Sequence, residues 1–355
     1  MRKTPWLAAI TVIATITALT ACSSPSSGGG SPSSAEVSSS AAGGTQSSTD
    51  AGPAPSNITI ALVYGIRGDP FYITMQKGAQ AKADALGITL TADGPAAWDP
   101  ALQAPIVDAM TAKKVSAMIV VPNDPQAMIA PLQRAFDNGI PLATTDQYIG
   151  DGDYANGSVT FPLSFIASDN KAGGKLACET LIDAIGGKGE IYILVSTANV
   201  PSDTARRDGC LEAIDATNGA VTSAGVDYTK SSATTATQQT QAKLQQDPKV
   251  SAIFGGNTFS AQGAAAAVTS AGLSGEIKVA SFDAPEAAID SLRAGTFDIV
   301  IAQQPAMIGA TAVQALYNKL TGADPGPKKV AVPFVVITRD NVDSPEAQAA
   351  IYKSS

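Results

Sequence analysis

From Asn57 onward, short apolar runs alternate with stretches in which apolar side chains recur every three or four positions. A run of four to eight branched apolar residues predicts a buried strand, and the longer recurrence predicts a helix with one buried face. Ile58–Tyr64 is such a run, Gly65–Pro70 is a loop, and Phe71, Met75, Ala79 and Ala83 keep helical spacing until Gly87. Pro70 falls in the first turn, where a missing N–H costs nothing, and Gly87 falls where a helix ends. Strand, loop and helix open a βαβ unit, and open α/β sheets bind ligands at the carboxyl ends of their strands.

The same reading predicts strands at Ile88–Ala92, Ala117–Val121, Leu142–Thr145 and Phe165–Ala167, with helices at Pro100–Ala112 and Pro125–Asn138. A stretch rich in Gly, Asp and Asn, Gly150–Thr160, interrupts the pattern before Phe165. Further strands follow at Ile191–Val195, Ala220–Gly225, Ala252–Phe254, Val279–Phe282 and Ile299–Ala302, and Val330–Ile337 reads as one last strand. Helices between them are predicted near Asn170–Ile185, Thr204–Thr217, Thr234–Gln246, Phe259–Ala271, Pro285–Ala294 and Pro305–Leu320. Strict alternation predicts parallel sheets with helices on both faces. About eleven strands exceed one comfortable compact domain, so two lobes are expected.

The first 56 residues have a different character. Arg2 and Lys3 precede an apolar run, Trp6–Leu19, too short and interrupted for a confident membrane span. The run ends Leu19-Thr20-Ala21-Cys22, which resembles the lipobox of bacterial lipoproteins. That resemblance implies a signal peptide over 1–21 and a mature chain beginning at Cys22, held to the membrane by acyl chains such as palmitate. Each buried methylene contributes about 0.8 kcal/mol, so two or more chains anchor stably. Residues 22–56 are almost entirely Ser, Gly, Ala, Pro and Thr after the cysteine, and read as a disordered tether reaching about 30–35 Å.

Composition narrows the function. The chain has 355 residues, 45% hydrophobic, with a net charge of −8. That charge argues against nucleic acid as a partner. It has no histidine, which removes Ser-His-Asp and Cys-His chemistry and most zinc sites. Of three cysteines, Cys178 and Cys210 remain once Cys22 is lipidated. Both are predicted on helices flanking the strand at Ile191–Val195, and an even pair in an exported chain favours a disulfide. The alternative is two reduced cysteines packed as small hydrophobes. Gly186-Gly187-Lys188-Gly189 lacks phosphate-loop spacing, and no dinucleotide fingerprint follows the first strand. Asp151–Asn156 lacks the central Gly and the final Glu of a calcium loop. The chain therefore reads as neither an enzyme nor a cofactor or metal protein.

The loops after successive strands share one chemistry. They carry Asp69, Phe71 and Tyr72; Asp93 and Trp98; Asn123 and Asp124; Asp146 and Gln147; Arg206 and Arg207; then Asn257, Asp283 and Gln303. Carboxylates accept hydroxyl hydrogen bonds, amides donate and accept, and aromatic faces cover the apolar side of a ring or chain. That set suits a neutral polyhydroxylated ligand.

Taken together and in order, Asp69-Pro70-Phe71-Tyr72, Ile166-Ala167-Ser168-Asp169-Asn170, Arg206 before Gly209, Gly256-Asn257, Ser281-Phe282-Asp283 and Ile301-Ala302-Gln303 resemble the periplasmic ribose/galactose-type sugar-binding proteins. The resemblance spans nearly all of Asn57–Ile337. It implies an α/β fold of two doubly wound parallel-sheet lobes joined by a three-strand hinge, the type I periplasmic-binding-protein arrangement. The implied lobes are 57–167 with 304–335, and 168–303 with 336–355. It also implies that Phe71 and Tyr72 sandwich a sugar, that Asp146 binds hydroxyls, and that Asn257, Asp283 and Gln303 act from the second lobe and hinge. Arg206 falls near the family's arginine, with Thr204 or Arg207 as alternatives. Asp69 replaces a common Asn, Val121 a polar residue, and Gln147 a common Arg. These departures point away from ribose itself and toward a ligand rich in hydroxyl donors, such as a linear polyol.

Every candidate has a plainer alternative. Asp69, Asn257 and Asp283 could each cap a helix. Phe71 could be core, Trp98 surface, Gln303 a loop residue, and Arg206 a surface partner of Asp203. The function expected is capture of a sugar or polyol outside the membrane by a lipid-anchored monomer, and delivery to an ABC permease. A sensory lipoprotein signalling to a membrane receptor is the alternative.

Overall fold

The structure, a computed structural model, describes residues 57–198 and 200–354. The predicted signal segment, Cys22 and the tether lie outside the described residues.

Six strands make the first sheet: β1 (Thr59–Val63), β2 (Thr89–Asp93), β3 (Ala117–Val120), β4 (Leu142–Thr145), β5 (Phe165–Ser168) and β11 (Lys329–Val332), in the spatial order β11-β5-β4-β3-β1-β2. All its pairings are parallel. Helices α1 (Pro70–Leu86), α2 (Pro100–Ala112), α3 (Ile129–Asp137) and α9 (Pro305–Thr321) belong to this lobe. The second sheet holds β6 (Gly189–Val195), β7 (Val221–Tyr228), β8 (Val250–Gly255), β9 (Lys278–Phe282), β10 (Ile299–Ala302) and β12 (Val335–Thr338), in the order β12-β10-β9-β8-β6-β7. Its helices are α4 (Asn170–Ala184), α5 (Pro201–Asp215), α6 (Ala233–Gln246), α7 (Thr258–Ser270), α8 (Glu286–Arg293) and α10 (Pro345–Ala350). Strand for strand, the two orders correspond.

The chain passes between lobes three times: from β5 into α4, from β10 into α9, and from β11 into β12. The last passage corrects the expected single strand at Val330–Ile337. Pro333 interrupts it, since proline has no N–H to give to a ladder, and the halves join different sheets. With no helix between them, β12 enters its sheet antiparallel to β10, so the second sheet is not wholly parallel. A second difference lies at α3, expected from Pro125 but beginning at Ile129. Asp124 instead holds a turn through the amides of Gln126 and Ala127.

Burial follows the predicted pattern. β3, β4, β5 and β10 are buried along their whole length, as expected of strands with helices on both faces. Helix pairs close over the sheets at small residues. A Cβ on Gly78 would strike the backbone of Ala306, and one on Gly209 would strike that of Lys171. These close approaches seat α1 on α9 and α5 on α4. The latter pair is also joined by a disulfide between Cys178 and Cys210, whose Cα atoms lie 5.1 Å apart.

Candidate binding cleft

A cavity of about 840 Å³ lies where the carboxyl ends of both sheets meet. Asp69, Phe71, Tyr72, Trp98, Asp146, Arg206, Asn257, Asp283 and Gln303 all line it. The structure thus brings these nine candidates together, although 234 positions separate the first from the last, whereas Asp93, Asn123, Asp124 and Arg207 of the same loops stay outside the lining.

The first lobe contributes acids and rings. Asp69 caps α1, its Oδ1 accepting from the Phe71 amide at 2.7 Å. Burial raises its carboxyl above the ordinary range, and Asp283 adds to this. Phe71 meets Tyr72 and Tyr352 edge-on, with centroids 5.3 and 5.6 Å away. Tyr72 lies near-parallel to Tyr64 and to Trp98, with centroids 6.5 and 6.3 Å away. Trp98 can lie there because Gly65 has no side chain; a Cβ would enter the indole. The Tyr72 hydroxyl donates to Asp146 Oδ2 at 2.8 Å. Three aromatic neighbours and this hydrogen bond fix the Tyr72 ring beside Phe71 in the cavity lining.

Asp146 follows β4 in the left-handed region, at φ 61°, a conformation that is uncommon for residues other than glycine. Its amide is held by Ile166 C=O of the next strand at 3.1 Å. Burial pushes its carboxyl up to about 6, against the opposing pull of the Tyr72 hydroxyl and Arg206. The next residue, Gln147, donates to Ser202 Oγ of the second lobe at 3.2 Å, bridging the cleft.

The second lobe contributes a buried cation and amides. Arg206 Nε donates to Asn170 Oδ1 and its Nη1 to Gly256 C=O, both at 2.8 Å. Its guanidinium lies 3.8 Å from the centre of the Phe282 ring, and Nη1 is 3.7 Å from Asp283 Oδ2. With 5% of its surface exposed, Arg206 is no surface partner of Asp203. That acid is itself buried, taking hydrogen bonds from the Ser196 hydroxyl and the Thr197 amide. Arg207 turns away, to Asp208 and the Tyr228 hydroxyl.

Asn257 caps α7, its Oδ1 accepting from the Ser260 amide at 2.9 Å. That use of the oxygen leaves Nδ2 as the free end, buried with no partner among the described residues. Gln303 is constrained in the opposite sense. Its Nε2 donates to Asp283 Oδ1 at 2.7 Å, which leaves Oε1 buried and unpartnered among the described residues. An unmet buried donor or acceptor costs about 1–3 kcal/mol, so one donor and one acceptor are ready for a ligand that supplies their complements. Asp283 sits at φ 75° after β9. Its carboxylate also accepts from the Tyr352 hydroxyl at 3.0 Å. Helix α8 begins at Glu286 with no side-chain cap, so the capping alternative for Asp283 does not hold. For Asp69 and Asn257 the cap is present and the side chain still lines the cavity.

Sequence reasoning missed Tyr352 and gave Asp203 only a surface role. The signal for Tyr352 was faint: Ser344-Pro345 marks a helix start and an apolar pair, Ile351-Tyr352, follows it.

Residues 60–324 match the model of the periplasmic binding protein domain family. The D-allose-binding periplasmic protein of Escherichia coli is 28% identical over 79% of this chain and 91% of its own length. A ribose import binding protein of Haemophilus influenzae is 29% identical over 80% of this chain and 93% of its own. Among solved structures, an ABC transporter solute-binding protein from Agrobacterium vitis, bound with alpha-D-tagatopyranose, is 40% identical, with a TM-score of 0.78 over 83% of this chain and 99% of that one. One from Actinobacillus succinogenes, with bound D-allose, is 28% identical, with a TM-score of 0.74 over 80% of this chain and 98% of that one.

Proposed function

The chain belongs to the periplasmic binding protein family of ribose/galactose-type sugar-binding proteins, and on that premise we propose that it captures a monosaccharide or sugar alcohol between its lobes and delivers it to an ABC permease. One observation carries this reading: the acids, the arginine, the amides and the aromatic rings line one cavity, with Asn257 Nδ2 and Gln303 Oε1 still unpartnered. A sugar hydroxyl is both donor and acceptor, so adjacent hydroxyls satisfy both atoms. Asp69, Asp146 and Asp283 accept hydrogen bonds from hydroxyls, Arg206 and Asn257 give hydrogen bonds to oxygens, and Phe71 covers the C–H face. The ligand draws the lobes together about the three crossings, and no bond is made or broken. The relatives whose names give a role are import proteins, so the sensory alternative is not carried further.

The bound sugars of the related structures set the first ligands to test: D-tagatose and D-allose, then D-ribose and the linear polyols that the Gln147 departure favours. Calorimetric titration of the monomer is expected to give saturable one-to-one binding to one of them. The same ligand at 100 times its Kd should stabilise the fold by about 2.7 kcal/mol. If no sugar or polyol of the panel binds, the reading fails. We further propose lipid anchoring at Cys22 on the outer face of the cytoplasmic membrane. Cys22→Ala should then release the protein or leave an uncleaved precursor; fractionation unchanged from wild type would refute the anchor.

A further inference from the structure

The last residues of the described chain do something that nothing above assigns to them. After α10 the chain runs back to the cleft. Tyr352 donates its amide to Ala284 C=O at 2.9 Å and pairs with Pro285 as a parallel bridge, just beyond Asp283. Its ring is buried, 1% exposed, and meets Phe71 of the first lobe edge-on at 5.6 Å. Its hydroxyl accepts from the Gln303 amide at 3.0 Å and donates to Asp283 Oδ1 at 3.0 Å. The Gln303 amide N–H can only donate, so the phenol accepts there and its own hydrogen is left for the Asp283 carboxylate. Burial and the neighbouring Asp283 hold the phenol well above its usual range, so it stays a donor. One residue on, the Lys353 amide donates to Thr74 Oγ1 of α1 at 2.9 Å.

These contacts join three parts of the molecule at one phenol: a carboxylate of the second lobe, the crossing from β10 into α9, and the aromatic face of the first lobe. We propose that Tyr352 is a positioning residue for the cleft, setting the Asp283 carboxylate against the Gln303 crossing, and that Ile351–Lys353 forms a fourth tie between the lobes beside the three covalent crossings. Asp283 occupies a backbone conformation that is sparse for residues other than glycine. Two donors on one carboxylate oxygen, Gln303 Nε2 and the Tyr352 hydroxyl, hold its side chain in one orientation. A ligand then meets an ordered acceptor and loses less freedom on binding.

The inference rests on the sugar-binding reading for its affinity arm but not for its second arm. In the affinity arm, Tyr352→Phe keeps the ring and its edge contact while removing the hydroxyl. It should weaken binding of D-tagatose or D-allose about tenfold, and it should also lower the melting temperature of the ligand-free protein, because the buried Gln303 amide loses its acceptor. In an Asp283→Ala background the same substitution should cost almost nothing, because the group it positions is gone; a purely structural role would cost the same in both backgrounds. The second arm needs no ligand. In the wild-type protein the Gln303 amide should be protected from hydrogen exchange, and in Tyr352→Phe it should exchange about tenfold faster, ahead of neighbouring amides. Fully additive affinity losses, or a Gln303 amide unprotected in the wild type, would overturn the proposal. If wild type binds neither sugar, that arm counts against the ligand reading, and the exchange arm decides the role of Tyr352.

Discussion

In the first lobe the carboxylate after the third strand in spatial order, Asp146, is met by a phenol and, at 3.5 Å, by the amide of its neighbour Gln147; in the second lobe its counterpart, Asp283, is met by a guanidinium, an amide and a phenol. The backbone device is the same on both sides. Each acid follows a buried strand at positive φ, 61° and 75°, and each donates its amide to the adjacent strand, at Ile166 and Ile301 C=O. The surroundings differ. Tyr72 of α1, itself stacked with Trp98 of the loop after β2, meets Asp146, and burial dominates its chemistry. A buried arginine held by Asn170 and Gly256 faces Asp283. Even the helix pairs that close the two sheets differ: α4 and α5 carry the disulfide, whereas α1 and α9 meet at small residues without one. One fold repeated twice therefore offers a ligand an aromatic wall on one side and an ionic one on the other.

The strongest way to break this comparison is to remove the second lobe's cation. Arg206→Ala leaves Asp203 and Asp283 facing each other without it. A broken buried ion pair costs about 3–5 kcal/mol, and denaturant unfolding at neutral pH should register a loss of that order. A variant as stable as wild type would mean that the arginine is not the centre of the ionic wall.

Reducing the Cys178–Cys210 bridge should come next, at roughly 3–4 kcal/mol from the loop it closes. The loss should be confined to the second lobe. Hydrogen exchange after reduction should show α4 and α5 loosened while α1 and α9 keep their protection; equal loosening on both sides would erase the distinction.

The first lobe's acid is tested by pH. Burial raises the folded Asp146 carboxyl to about 6, above the roughly 3.9 of an unfolded chain. Between those values the folded chain holds a proton that the unfolded chain has released. The group's contribution to stability is thus fully present below about pH 4 and lost as pH rises through 6. Asp146→Asn removes the dependence while leaving an acceptor for Tyr72. At pH 7 the empty variant should be more stable than wild type by up to about 3 kcal/mol, with no advantage at pH 4. Melting curves at both pH values check this, and an equal difference at each would refute it.

On binding, Asp283→Ala should cost about 1.5–3 kcal/mol, or roughly 10- to 150-fold in affinity for the sugar found by titration. The smallest effect separates Asp69 from it. Because Asp69 caps α1, Asp69→Ala should lower stability by about 1 kcal/mol, which Asp283→Ala has no capping reason to do. An unchanged melting temperature for Asp69→Ala would mean that its carboxylate does not hold the start of α1.

Much of this architecture was legible from local pattern. Pro100–Ala112, Leu142–Thr145 and Ile299–Ala302 keep their predicted bounds, and most other elements move by one or two residues. Repeats of 2.0 and 3.6 residues are properties of neighbours in the chain, and the ends are marked by Pro, Gly and capping acids that act over one turn. The loops at the strand ends, and with them ten of the 25 residues that line the cleft, followed from that pattern. What only the tertiary structure decided concerns partners distant in the chain. That Arg206 and not Arg207 enters the cleft depends on how α5 rolls onto α4 at Gly209. That Tyr72 addresses Asp146 depends on Trp98 lying over Gly65. Val330–Ile337 divides between two sheets because the lobes offer different edges on either side of Pro333. Tyr352 reaches Asp283, 69 positions earlier, only because α10 packs beneath β12. Periodicity says which face of an element is buried; which side chain it is buried against depends on packing between elements, and that is absent from any local window of sequence.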